Sequence, residues 1–311
     1  MRPKNAGSSA VRLASSALLF AVAGSLTPLR AAAWGNGVFD VGASLPMPAR
    51  PGGFAYLEYG SMDQDNDWSG GKRASYGANA DKDIRSDLIT GGVQYMLDRS
   101  WGYMFEVPVV KRRIATTDQN GVVGTLDNGA VGDIGVRGVY SGFSPDMSSG
   151  LTFGLKLPTG PLKTPDFARD AQIGTGSTDL LLGAYHTGRV QWGYAWFSNA
   201  QWDEPMLDAG GYRPGAEIDA ALGASYDGWS PGGFKIAPLA QVLGAVRWRD
   251  IGATANPGNS GYQRVLLSPG LRIEKGVVRV YGDVEFPAYQ FVNGYQLVAS
   301  DLYKLNVGWS F

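Results

Sequence analysis

The chain has 311 residues, a formal net charge of −1 and 18% charged residues, a balance that offers no basic surface for nucleic acid. It contains no cysteine, which excludes a disulfide framework, a zinc–thiolate site, an iron–sulfur cluster and a haem attachment motif. Its 45 Gly, 9 Trp, 15 Tyr and 12 Phe suit tightly paired strands joined by short turns rather than helices.

The amino terminus reads as a secretory leader over 1–33. Arg2, Lys4 and Arg12 supply the positive charge, 13–26 the apolar stretch, and Ala31-Ala32-Ala33 the small residues before a cut ahead of Trp34. A membrane anchor is the competing reading, but the stretch falls short of the roughly 20 residues a spanning helix needs. Residues 34–52, with Pro46, Pro48 and Pro51, look irregular and read as a periplasmic segment or a short plug.

From residue 53 onward a period-two pattern dominates. Strands are expected near 53–60, 84–96, 101–112, 130–142, 149–158, 176–187, 190–201, 214–227, 234–248, 262–274, 277–290 and 298–311. Several approach the roughly 9–11 residues of a tilted spanning strand. The links alternate in length: short at 97–100, 143–148, 188–189, 228–233 and 275–276, mostly longer at 61–83, 113–129, 159–175, 202–213, 249–261 and 291–297. Periplasmic turns and extracellular loops produce that alternation, and a β-sandwich has no reason to. In the last strand Tyr303, Leu305, Val307, Trp309 and Phe311 share one face, while Lys304, Asn306, Gly308 and Ser310 share the other. Alternation alone does not separate a lipid-facing surface from the core of a soluble sandwich. The connectors favour an all-β, transmembrane antiparallel β-barrel of about 12 strands over 53–311, with short periplasmic turns and longer extracellular loops.

Three further features carry a family resemblance. The chain ends on Phe311 after alternating apolar residues. Gly154-Leu155-Lys156-Leu157-Pro158-Thr159-Gly160 runs a strand into an "LPTG" turn, and Gly174-Thr175-Gly176-Ser177-Thr178-Asp179-Leu180 opens the next strand, with Gly132-Asp133-Ile134-Gly135 upstream. In this order they resemble the outer-membrane family labelled "MetA-pathway of phenol degradation". The resemblance implies a transporter in the outer membrane of a Gram-negative bacterium, and the family name implies aromatic compounds as solutes. It also implies that Tyr303, Leu305, Val307, Trp309 and Phe311 form the terminal signal read by the barrel-assembly machinery. Read from their own chemistry, the Pro and Gly of these motifs punctuate a strand end and a loop.

Period two places thirteen ionisable residues on the lumen face: Glu106, Arg137, Lys156, Asp179, Glu217, Asp219, Arg247, Arg264, Arg272, Arg279, Asp283, Glu285 and Lys304. Two readings stay open for them. They form a charged constriction that selects solutes, or a paired network that holds the wall and leaves no pore. His186, the sole histidine, stands near a periplasmic turn with no evident serine partner, which argues against a lipid hydrolase. Asp63-Gln64-Asp65-Asn66-Asp67 has alternating acids, but Trp68 and Ala74 replace the Gly and Glu of an EF-hand, so a solvated loop is expected and no metal. Lys111-Arg112-Arg113, at a strand end, is either a site for lipopolysaccharide phosphates or a solvated rim. Trp101, Trp192, Tyr194, Trp202, Trp248, Tyr303 and Trp309 suit interfacial girdles.

The expected function is passive or binding-site-assisted passage of small solutes, aromatic or hydrophobic ones included. The rivals are a structural or adhesive barrel with a plugged lumen and, behind it, an outer-membrane lipid hydrolase. No enzyme activity and no cofactor are expected. Partners are outer-membrane lipid and lipopolysaccharide, the assembly machinery and a small-molecule solute, with no nucleic acid.

Overall fold

A computed structural model describes residues 41–75, 79–117 and 120–311; the leader 1–33 lies outside them. The strands are β1 (Gly52–Gly70), β2 (Lys72–Arg73), β3 (Asp81–Met96), β4 (Trp101–Thr117), β5 (Val123–Val131), β6 (Ile134–Tyr140), β7 (Ser149–Leu157), β8 (Asp179–Arg189), β9 (Tyr194–Pro205), β10 (Glu217–Tyr226), β11 (Lys235–Arg247), β12 (Tyr262–Lys275) and β13 (Val278–Ser310). β1, β3, β4 and β6 to β13 pair antiparallel in that order, and β13 pairs back onto β1, which closes the sheet. Eleven strands make the ring. β2 adds to the rim of β1, and β5 pairs with the far end of β4 beyond β6. Closure removes the unpaired edges that an open sheet would present.

β13 crosses the wall twice. Residues 278–292 pair with β12, residues 295–310 pair with β1, and the chain reverses at Asn293-Gly294, where Gly294 takes a φ of +63°. The Ser310 amide donates to the Val277 carbonyl at 2.9 Å, so the two passes lie side by side. The wall is therefore crossed twelve times.

The faces settle what alternation left open. Tyr303, Leu305, Val307 and Trp309 point outward and are 40–49% exposed, whereas Leu302, Lys304 and Asn306 point inward and are at most 3% exposed. The apolar side faces out and the charged side faces in, the reverse of a soluble sandwich and the arrangement a hydrocarbon surrounding requires. Exposed Trp101, Trp192, Tyr194 and Trp309 ring the short-turn end, and exposed Trp202 and Trp248 lie toward the long-loop end. Both ends of the barrel segment meet at the short-turn rim. Gly53 and Phe311 exchange backbone hydrogen bonds of 2.7 and 2.9 Å, and the Phe311 ring lies over Gly53, where a Cβ would clash. In one short turn the amides of Trp101 and Ser100 donate to Asp98, which holds its carboxyl below the usual range.

Strands outrun their expected bounds at the long-loop rim. Asp63–Asp67 is part of β1 and not a loop; Asp63 and Asp65 are exposed while Asp67 is buried. β4 and β5 form a hairpin rather than a long loop over 113–129. The expected loop 291–297 is a tight turn. These parts carry polar residues on both faces, so the apolar–polar contrast that marks a strand disappears while the backbone ladder continues.

Candidate functional site

The lumen is occupied from the short-turn end by the segment 41–48. Its backbone is held by wall side chains. The Gly42 amide donates to Asn199 Oδ1 at 2.9 Å, and Asn199 Nδ2 returns a bond to the Gly42 carbonyl at 3.0 Å. The Ala43 amide donates to Gln241 Oε1 at 3.0 Å. Lys304 Nζ reaches the Val41 carbonyl at 3.2 Å, and an Arg279 guanidinium nitrogen reaches the Ser44 carbonyl at 3.3 Å. Apolar contacts complete the seat: Val41 packs with Leu243, Leu266 and Leu302, Ala43 with Phe197, Leu239 and Tyr281, and Leu45 and Met47 against Tyr56, Met96 and Met104. A segment without strand or helix can be buried here because wall side chains satisfy its backbone groups.

The other mouth is narrowed by the loop 158–178. Phe167, Ala168 and Ala171 pack on Ile84, Ile114 and Leu297. Asp133 ties its two ends together. One carboxylate oxygen accepts the Gly160 amide at 2.9 Å, and the other accepts the Thr175 amide at 2.8 Å and its hydroxyl at 2.6 Å. Gly160 and Gly174 approach so closely that a Cβ on either would overlap the other's backbone. The LPTG turn and the motifs Gly132–Gly135 and Gly174–Leu180 thus meet at one carboxylate.

Beside the 158–178 loop lies a chamber of about 160 Å³, bordered by Arg169, Gln172, Ile173, Gly174 and Thr175 of that loop. Leu88, Val110, Ile173, Leu181 and Tyr212 supply apolar lining; Glu106, Asp133, Asp179, Asp203 and Glu217 supply negative charge and Arg112, Arg137, Lys156, Arg169 and Arg247 positive charge. Arg137 pairs with Glu106 at 2.5 Å, and the Tyr56 hydroxyl also bonds Glu106. Lys156 Nζ lies 2.6 Å from Asp179 and 2.5 Å from Asp203. Arg247 pairs with Asp250 at 2.8 Å, and the Tyr262 hydroxyl donates to Glu217 at 2.5 Å.

The remaining lumen-face residues sit deeper or at the short-turn rim. Asp219, Arg264, Asp283, Glu285 and Lys304 are buried, with Lys304 at 3.5 Å from Glu285 and Arg264 stacked on the Tyr262 ring at 4.7 Å. Gln241 Nε2 donates to Asp283 at 2.8 Å. Arg272 pairs with Asp227 at 2.8 Å and with Glu274 at 3.2 Å. Burial in the 227–234 turn pushes the Asp227 carboxyl up, but Arg272, the Ser225 hydroxyl and Lys235 outweigh it and hold it below the usual range. Arg279 lies over the Phe54 ring at 4.4 Å. Basic residues of β11–β13 are thus balanced by nearby acids or engaged by backbone carbonyls, so no single-sign wall results.

On the geometry of these barrel walls and their contents, comparison with known proteins places the fold. The chain is similar to an outer membrane channel from Pseudomonas putida F1, at 13% identity and a TM-score of 0.65 over 88% of this chain and 99% of that one. This is the outer-membrane barrel fold. A second similarity, to the beta domain of a Bordetella autotransporter, has 11% identity and a TM-score of 0.51 over 84% of this chain and 100% of that domain. No protein-family model matches the chain, and no curated protein matches it.

Two expectations are corrected. Arg112 does not join Lys111 and Arg113 in an outward basic cluster. It shares the inward face with Val110 and Ile114, is buried, and donates to the carbonyls of Ala171 and Gln172 at 3.1 and 3.3 Å, while Arg113 pairs outside with Asp127 at 2.9 Å. His186 does have a serine partner: its Nδ1 lies 2.6 Å from Ser149 Oγ across β7 and β8, on the outward face, and its ring lies 4.9 Å from Trp196. Among the described residues no carboxylate or amide bonds its other nitrogen. Residues that sequence reasoning passed over are Asn199 and Gln241, polar but not ionisable, and Asp203, which lies past the expected end of its strand.

Proposed function

We propose that the chain is an outer-membrane channel for small solutes, with the segment 41–48 as a removable stopper and the loop 158–178 as the outer constriction. One observation carries the reading: the backbone of the stopper is bound to the wall through side chain-to-backbone hydrogen bonds. Such bonds are worth about 1 kcal/mol net from Asn199 and Gln241 and roughly 1.5–3 kcal/mol from Lys304 and Arg279, and each can be exchanged for water when the segment leaves. The mixed apolar and charged chamber suits an amphipathic solute, in keeping with the aromatic compounds that the family resemblance suggests. The similarity to an outer membrane channel supports this placement, as do the outward apolar band and the girdles. Leader cleavage, lipopolysaccharide contact at the long-loop rim and assembly directed by Phe311 belong to the same proposal, as does the absence of enzyme activity.

A structural barrel is the second reading, favoured by the neutralising ion pairs of the lumen. Liposome swelling with a panel of small solutes separates the two. Swelling that depends on the reconstituted chain and falls with solute size is the expected result. Liposomes that never swell, with the barrel correctly inserted, would leave the structural reading.

A further inference from the structure

Three charged side chains meet across three adjacent strands of the chamber. Lys156 of β7 places one ammonium between Asp179 of β8 and Asp203 of β9, at 2.6 and 2.5 Å from their Oδ2 atoms. Two negative charges against one positive leave this group at −1. The Asp179 side chain is fully buried, and that of Asp203 is 19% exposed. Both oxygens of Asp179 and the Oδ1 of Asp203 are buried and have no hydrogen-bond partner. Both residues line the chamber. The sign continues on the next strand, where Glu217 stands opposite Asp203 in register, while Arg247 is engaged with Asp250 and the chamber's Arg112 and Arg169 donate to backbone carbonyls of the 158–178 loop.

From this geometry we infer that Lys156, Asp179 and Asp203 form a subsite for a solute bearing a primary ammonium group. A buried carboxylate oxygen that lacks a donor carries a desolvation penalty, and a charged donor removes it. Lys156 donates a hydrogen bond to Asp203 and is only ion-paired with Asp179; a solute ammonium would supply the missing donors and bring the group to neutrality. Three N–H donors on one nitrogen suit two such acceptors, and a carboxylate or an alcohol does not. Leu181, Pro205 and Tyr212 line the same chamber and supply surface for an apolar body. The solute class is a small amine with an apolar or aromatic body. This inference rests on the channel reading for the passage of a bound amine, and not for its binding.

Binding of benzylamine, benzyl alcohol and benzoate to the detergent-solubilised full barrel, measured by calorimetry, tests it. Benzylamine is expected to bind at least roughly tenfold more tightly than either analogue, the scale of one charge-assisted hydrogen bond. Asp179→Asn and Asp203→Asn should each remove that preference. Lys156→Met should raise benzylamine affinity, because it removes the internal competitor for the two acids. Heat-dependent gel mobility reports whether each variant is folded, and Asp203→Asn or Lys156→Met serves if Asp179→Asn is not. Equal binding of the three compounds, tighter binding of benzoate, or benzylamine affinity unchanged in the folded variants would overturn the subsite. Amine binding by a barrel that never conducts would keep the subsite and reject the channel; conduction without amine preference would do the reverse.

Discussion

Removal of residues 41–48 is expected to raise the single-channel conductance of the reconstituted barrel by roughly tenfold or more, since a constriction that excludes water blocks ions almost completely. The segment fills the lumen beside Asn199, Gln241, Arg279 and Lys304, and its apolar residues reach three of the buried clusters. Its departure leaves a lumen wall in which Asn199, Gln241, Arg279 and Lys304 can be wetted beside the apolar clusters. The remaining obstruction is the loop 158–178, so the deleted barrel should conduct through the chamber rather than as a wide pore. Asn199→Ala with Gln241→Ala removes three of the backbone anchors and should give more frequent openings of the same size. Deleted and full-length barrels with the same conductance would mean that the segment does not control passage.

Arg137→Ala is expected to destabilise the barrel by about 3–5 kcal/mol, the range for removing one partner of a buried ion pair. Arg137 is 5% exposed and its carboxylate partner Glu106 is 13% exposed, 2.5 Å away. Without the guanidinium, Glu106 retains the Tyr56 hydroxyl, a neutral donor, against its full negative charge. Arg137→Met combined with Glu106→Gln should recover most of the loss, because no uncompensated charge then remains. Denaturant unfolding of barrels in lipid vesicles reads both. A single variant no less stable than the double one would show that the pair is not what stabilises this part of the wall.

Much of the architecture was legible because the surrounding medium imposes a simple pattern. The terminal strand separates Leu305, Val307 and Trp309 from Lys304 and Asn306 residue by residue, and each lands on the expected face. Loop lengths gave the up-and-down order, since turns at one rim are short wherever the next strand starts at once. Where both faces meet water the pattern vanishes, so the outer part of β1 and the hairpin of β4 with β5 read as loops. Arg112 shows a different limit: three consecutive basic residues suggest one cluster, yet strand periodicity sends the middle one inward. The contacts of the 41–48 segment were not readable at all. Gly42 meets Asn199, and Ala43 meets Gln241, across sequence separations of 157 and 198 residues, and no local pattern encodes them. The Asp133 clasp lies between: its motifs were visible, but their convergence on one carboxylate needed the fold.

A reversible cross-link tests the central claim, a solute channel stoppered by its own amino-terminal segment, most directly. The chain has no native cysteine, so Ala43→Cys with Gln241→Cys introduces the sole thiol pair, to be bridged by a short bifunctional reagent with a reducible centre. Bridged barrels in a planar bilayer are expected to stay closed, and reduction to restore openings. Openings of equal size and frequency in the bridged and the reduced protein would contradict the claim.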